Sequence, residues 1–166
     1  MEANGSFVVK RTSAIGLKGM SESFHVTDES GSPVLEFKYS MHMGSQEWHV
    51  LDTSGAEVAN MQRHAHVHPQ FDITRPGRPD VTVRKANFMP VSETWRVEGL
   101  EGGDVDVSGS ITDHEFTFTN QTGAVVAQSS RQWVSVHETY GVRVSGMDAV
   151  VALCAAVGMD VIENQH

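Results

Sequence analysis

The strongest constraint in this chain is a recurring unit: an aromatic residue, a polar one, an apolar one, another polar one, and then a turn. Phe24-His25-Val26-Thr27-Asp28-Glu29-Ser30-Gly31 returns as Trp48-His49-Val50-Leu51-Asp52-Thr53-Ser54-Gly55. Weaker copies, Phe71-Asp72-Ile73-Thr74, Trp95-Arg96-Val97-Glu98 and Phe116-Thr117-Phe118-Thr119, keep the aromatic and the apolar residue two positions on. Alternation of this kind describes a strand with one buried face. Phe24/Val26, Trp48/Val50, Phe71/Ile73, Trp95/Val97 and Phe116/Phe118 are therefore expected to point inward, and His25, His49, Asp72, Arg96 and Thr117 outward.

The turns fit the same picture. Asp28, Asp52 and Asn120 each precede a glycine by three positions, and Asp or Asn first with Gly fourth suits a type I turn in a short hairpin loop. Return strands are expected at 34–38, 58–63, 81–85, 104–110 and 125–129, with 7–11 and 140–144 flanking the set. That makes about twelve short, evenly spaced strands, which implies a sandwich or a barrel.

The C-terminal segment departs from this period. From Met147 to Ile162 it is rich in Ala, with no polar residue between Asp148 and Asp160. It reads as a helix, and Ser145 with Asp148 three residues on resembles a capping box that would set its start. A helix apolar on every side must be buried on every side. A barrel of about twelve strands is too wide for its own side chains to fill. The expected fold is therefore mainly β: a single domain over 1–166, a closed antiparallel barrel wrapped around a buried apolar C-terminal α-helix, the plug at 146–162. Ala149, Ala152, Ala155, Ala156 and Gly158 keep that plug thin.

Bulk properties exclude several function classes. The 166 residues suit one domain, and 39% hydrophobic with 20% charged residues is a globular composition. A net charge of −9 repels phosphate backbones, so nucleic acid is not an expected partner, although nine histidines make that charge pH-sensitive. One cysteine, Cys154, gives no disulfide framework and fits a reducing compartment. The N-terminus lacks the basic and apolar regions of a secretion signal. The longest apolar stretch, 149–159, falls short of the ~20 residues of a transmembrane helix.

The hairpin repeat, the segment Ser108-Gly109-Ser110-Ile111-Thr112-Asp113-His114-Glu115-Phe116, the strand Glu138-Thr139-Tyr140-Gly141-Val142 and the helix ending in Asp160-Val161-Ile162 together resemble the LURP-one-related family of the tubby C-terminal-like superfamily. The resemblance runs from about Phe7 to Ile162 and lies in the order of several motifs. It implies a twelve-stranded barrel around a central helix. It also implies a partner class, since tubby C-terminal domains bind phosphoinositide headgroups and phospholipid scramblases are distant relatives. Fold membership alone does not assign an activity.

Four basic residues, Arg75, Arg78, Arg84 and Lys85, gather in one hairpin and form a candidate seat for a lipid headgroup. The plainer reading is a solvated hairpin partly neutralised by Asp72 and Asp80. His64, His66 and His68 share one face of an extended segment at intervals of ~6.5–7 Å, and imidazole suits zinc, copper or nickel. Against this, no carboxylate or thiolate completes a four-ligand set nearby. His114, between Asp113 and Glu115, could serve acid–base chemistry, but its neighbours should point the other way. Cys154 reads as core packing. Asp160, near the end of an apolar helix, needs a counter-ion, and Arg63, on the inward parity of Ala59 and Met61, is the expected structural ion-pair partner. The alternative is a solvated Asp160 beyond the rim.

No phosphate loop, nucleophile elbow or zinc-protease helix occurs. The expectation is a non-enzymatic, cytoplasmic barrel with no cofactor, peripheral at a membrane at most. Its partner would be a protein or an anionic phospholipid headgroup. A metal- or pH-responsive module using His64, His66 and His68 is the alternative.

Overall fold

A computed structural model describes residues 4–16, 19–42, 44–64, 69–87, 94–134 and 139–164. The strands are β1 (Gly5–Gly16), β2 (Gly19–Asp28), β3 (Pro33–His42), β4 (Ser45–Leu51), β5 (Glu57–His64) and β6 (Gln70–Thr74). They continue with β7 (Val81–Asn87), β8 (Thr94–Glu98), β9 (Val105–Ser110), β10 (Glu115–Asn120), β11 (Val125–Ser130) and β12 (Thr139–Val144). A 3₁₀ turn, Arg131–Trp133, leads toward β12, and α1 (Ala149–Asn164) closes the chain. Each strand pairs antiparallel with its sequence neighbours, and β1 pairs with β12, so the sheet closes into a barrel with no free edge.

The faces follow the repeat. Phe24, Val26, Trp48, Val50, Phe71, Ile73, Trp95, Val97, Phe116 and Phe118 are buried, while His25, His49, Asp72, Arg96 and Thr117 between them are half-buried or exposed. The turns repeat as well. Gly31, Gly55 and Gly123 each donate their N–H to the carbonyl of the Asp28, Asp52 or Asn120 three residues back, at 3.0 Å. All three glycines lie in the left-handed region, with φ of 86°, 86° and 85°. The side-chain Oδ1 of Asp28, Asp52 and Asn120 accepts N–H groups two and four residues on, which closes each turn a second time. The register shifts beside each turn, at 26/27, 50/51 and 118/119, as in a type I turn with a glycine bulge.

Inside the barrel, every residue of α1 from Val151 to Val161 is buried. The helix begins later than the capping-box reading placed it, at Ala149 rather than 146. Asp148 is the cap, its Oδ1 accepting from Val151 N at 3.1 Å and its carbonyl from Ala152 N. Ser145 does not cap it; its hydroxyl donates to the Val125 carbonyl. The C-terminal end runs on to Asn164 rather than stopping at 162. Because the barrel winds up and down, alternate strand ends lie at opposite mouths. The 28–32, 52–56, 75–80, 99–104 and 120–124 turns stand at the mouth where α1 starts, and the 111–114 turn and the 3₁₀ turn Arg131–Trp133 at the opposite mouth.

Candidate functional site

At the mouth where α1 begins, Asp148 anchors more than the helix. Its Oδ2 accepts from Arg78 Nη1 at 3.0 Å and lies 3.5 Å from Arg75 Nη1. The Arg75 side chain is buried and that of Arg78 half-exposed. Beside them opens a recess of about 230 Å³ between the 100–103 loop, Asn120 and the 146–148 segment. Leu100 and Met147 contribute apolar surface to it, and Glu101 contributes a second carboxylate.

Toward the opposite mouth the helix carries a buried carboxylate that anchors a polar chain. Asp160, 1% exposed, accepts from Arg11 Nη2 at 2.6 Å through Oδ2, and its Oδ1 lies 2.9 Å from His114 Nε2. Arg131 Nε donates to His114 Nδ1 at 3.0 Å. A guanidinium cannot accept a hydrogen bond, so Nδ1 is unprotonated and the proton of neutral His114 sits on Nε2, aimed at Asp160. The imidazole stacks on Tyr140, with centroids 4.3 Å apart. Burial, and next the negative charge of Asp160, push the Tyr140 hydroxyl well above its ordinary pKa. His114 enters this site through a left-handed backbone, φ 58°, in the turn before β10. Its neighbours Asp113 and Glu115 are exposed, as alternation requires.

These geometries correct two expectations. The counter-ion of Asp160 is Arg11, not Arg63, and the carboxylate is buried rather than solvated beyond the rim. Arg63 Nη1 reaches Gln46 Oε1 at 3.4 Å, and partial burial lowers its pKa. The inward direction of Arg11 was legible, since it continues the parity of Phe7 and Val9.

Nor do Arg75, Arg78, Arg84 and Lys85 share one face. Arg75 and Arg78 stand at the first mouth with Asp148, and Arg84 turns outward to Glu98 at 2.5 Å. Lys85, one residue on and therefore on the other face, reaches Glu163 at the far end of α1 at 2.9 Å. The length of β7 separates the two pairs. Each cation has a carboxylate partner, so the hairpin is not an open basic patch.

His64 ends β5, while His66 and His68 lie outside the described residues. Among the described residues no group of three or more His, Cys, Asp or Glu could hold a metal ion. Cys154 is buried mid-helix, and desolvation drives its thiol pKa strongly upward. No helix among the described residues is long and apolar enough to cross a membrane.

A twelve-stranded antiparallel barrel filled by its own C-terminal helix is the architecture of the tubby-like class. Within that class the chain belongs to the LURP-one-related family, whose model matches residues 6–160. The chain is also similar to a protein of Arabidopsis thaliana solved by X-ray crystallography, at 18% identity and a TM-score of 0.62. That match covers 98% of this chain and 94% of the plant protein, and it bears on the fold alone. A search of the curated proteins returns no match.

Proposed function

We propose that this chain is a non-enzymatic, cytoplasmic binding module that engages a partner protein at the mouth where α1 begins. One observation carries the reading: the helix occupies the barrel interior, so ligand chemistry belongs to the surface, and the recess beside Arg75 and Arg78 is a concavity there with charged groups in its wall. The polar chain at the other mouth centres on the buried Asp160 and His114, each engaged by another member of the chain, which suits anchoring the helix rather than turnover.

An anionic phospholipid headgroup is the competing partner. It is disfavoured by the net charge of −9 and by the carboxylates already paired with Arg78, Arg84 and Lys85. Flotation with vesicles containing phosphoinositide, against neutral vesicles at low salt, separates the two. The expected result is no capture beyond the neutral control. Capture that falls with salt and is lost in Arg78→Gln would assign the mouth to a headgroup instead.

A further inference from the structure

Arg75 is a buried guanidinium that the protein bonds only in part. Its side chain is 6% exposed, its Nε meets no acceptor within the protein, and its bond to Asp148 is a long one, 3.5 Å. Buried polar groups are ordinarily hydrogen-bonded, and a guanidinium carries five donors to satisfy. Asp148 is occupied elsewhere, by Val151 N at 3.1 Å and by Arg78 at 3.0 Å.

The recess of about 230 Å³ borders this group. It is smaller than the ~300–1,000 Å³ of pockets that take drug-sized ligands. Its charged lining is balanced, with Arg75 and Arg78 against Glu101 and Asp148. A group bearing one negative charge leaves a small local excess, whereas a phosphate ester at about −1.5 to −2 leaves a larger one in a partly desolvated site. The planar fork of a guanidinium matches the two oxygens of a carboxylate, and Leu100 and Met147 offer an apolar wall to an aliphatic stem.

We propose that this recess binds a single carboxylate carried on a short aliphatic stem, its oxygens on Arg75 in place of the long contact to Asp148. The inference rests on the binding-module reading and sharpens it. The carboxylate comes from an Asp or Glu side chain of a partner protein or from a free short-chain monocarboxylic acid.

The test follows the amide resonances of Gly102, Gly103 and Gly146 in the full chain at constant ionic strength. One arm titrates sodium butyrate, with butyramide as its uncharged counterpart and inorganic phosphate as the dianion. The other titrates a terminally capped peptide with a single Glu, and its Gln counterpart. Saturable shifts with butyrate or with the Glu peptide, absent with butyramide and the Gln peptide, are expected, and whichever binds more tightly names the source. Arg75→Lys keeps the charge but not the fork and should weaken binding about tenfold or more. Arg78→Gln, on a half-exposed residue, should keep the fold and weaken binding less. No saturable shift with either carboxylate, equal shifts with butyramide, or tighter binding of phosphate overturns the proposal. Vesicle capture without any carboxylate response would remove this inference and leave the binding module standing.

Discussion

A carboxylate buried near the C-terminal end of a helix faces two penalties, lost hydration and the negative end of the helix dipole. In this chain Arg11 and His114 offset both for Asp160. Removing one member of a buried pair typically costs about 3–5 kcal/mol, because the other is left uncompensated. Arg11→Gln should therefore lose about 3 kcal/mol, at the lower end because Arg11 is 21% exposed. Urea unfolding of Arg11→Gln, Asp160→Asn and the double variant should give a coupling of about 1–3 kcal/mol. The same cycle with Arg63→Gln should be additive to within about 0.5 kcal/mol, and strong coupling there would restore Arg63 as the counter-ion. His114 supplies an independent check, since Arg131 at Nδ1 requires the neutral Nε2–H tautomer. Nitrogen-15 spectra of the imidazole at neutral pH should show that form. A proton on Nδ1 would break the chain from Arg131 to Asp160.

Among the elements, α1 fits because it is thin at one point. A Cβ on Gly158 would lie 2.2 Å from the Phe71 ring of β6, far inside contact distance. Gly158→Ala gains up to ~1 kcal/mol of helix propensity, but overpacking a filled core costs about 1–3 kcal/mol. The net effect should be destabilising, and Phe71→Leu in the same chain should recover part of it. If thermal unfolding shows Gly158→Ala to be stabilising, the helix does not press on β6. The helix, the strands and the turns were legible because each follows from local pattern: alternation for the strands, a run apolar on every side for α1, and Asp or Asn with Gly for the turns. The choice of Arg11 over Arg63 was not legible in the same way. Both lie on inward parity, and which one meets Asp160 depends on the rotation of the helix inside the barrel, which no single strand encodes. The basic hairpin misled for a related reason, since closeness in sequence across β7 places Arg75 and Lys85 at opposite ends of the molecule. The recess was equally hidden, because it assembles from the 75–78, 100–103 and 146–148 segments.

For the whole molecule, the most direct readout of a sealed core is the alkaline dependence of its stability. Cys154 and Tyr140 are fully enclosed, and desolvation raises the pKa of both. In the unfolded chain the thiol ionises near about pH 8.5 and the phenol near about pH 10. Above those values the native state holds protons that the unfolded state has released, so stability must fall as pH rises. Stability attributable to the thiol is complete below about pH 8.5, and above that pH it declines by at most about 1.4 kcal/mol per pH unit. At the acid flank the sign reverses. Asp28 and Asp52 have lowered pKa values, first through the hydroxyls of Ser30 and Ser54, so the stability they contribute is present above about pH 3.9 and is lost as pH falls. Urea midpoints of the native chain and of Cys154→Ala, measured from pH 7.5 to 10, isolate the thiol. The native chain should lose stability steadily above about pH 9, while Cys154→Ala, whatever its offset at neutral pH, should stay nearly level until the phenol begins to titrate. Parallel profiles would mean that the thiol ionises equally well in the folded barrel. Such ionisation would need water or an uncompensated cation at Cys154, where burial and the charge of Asp148 outweigh the opposing charge of Arg75.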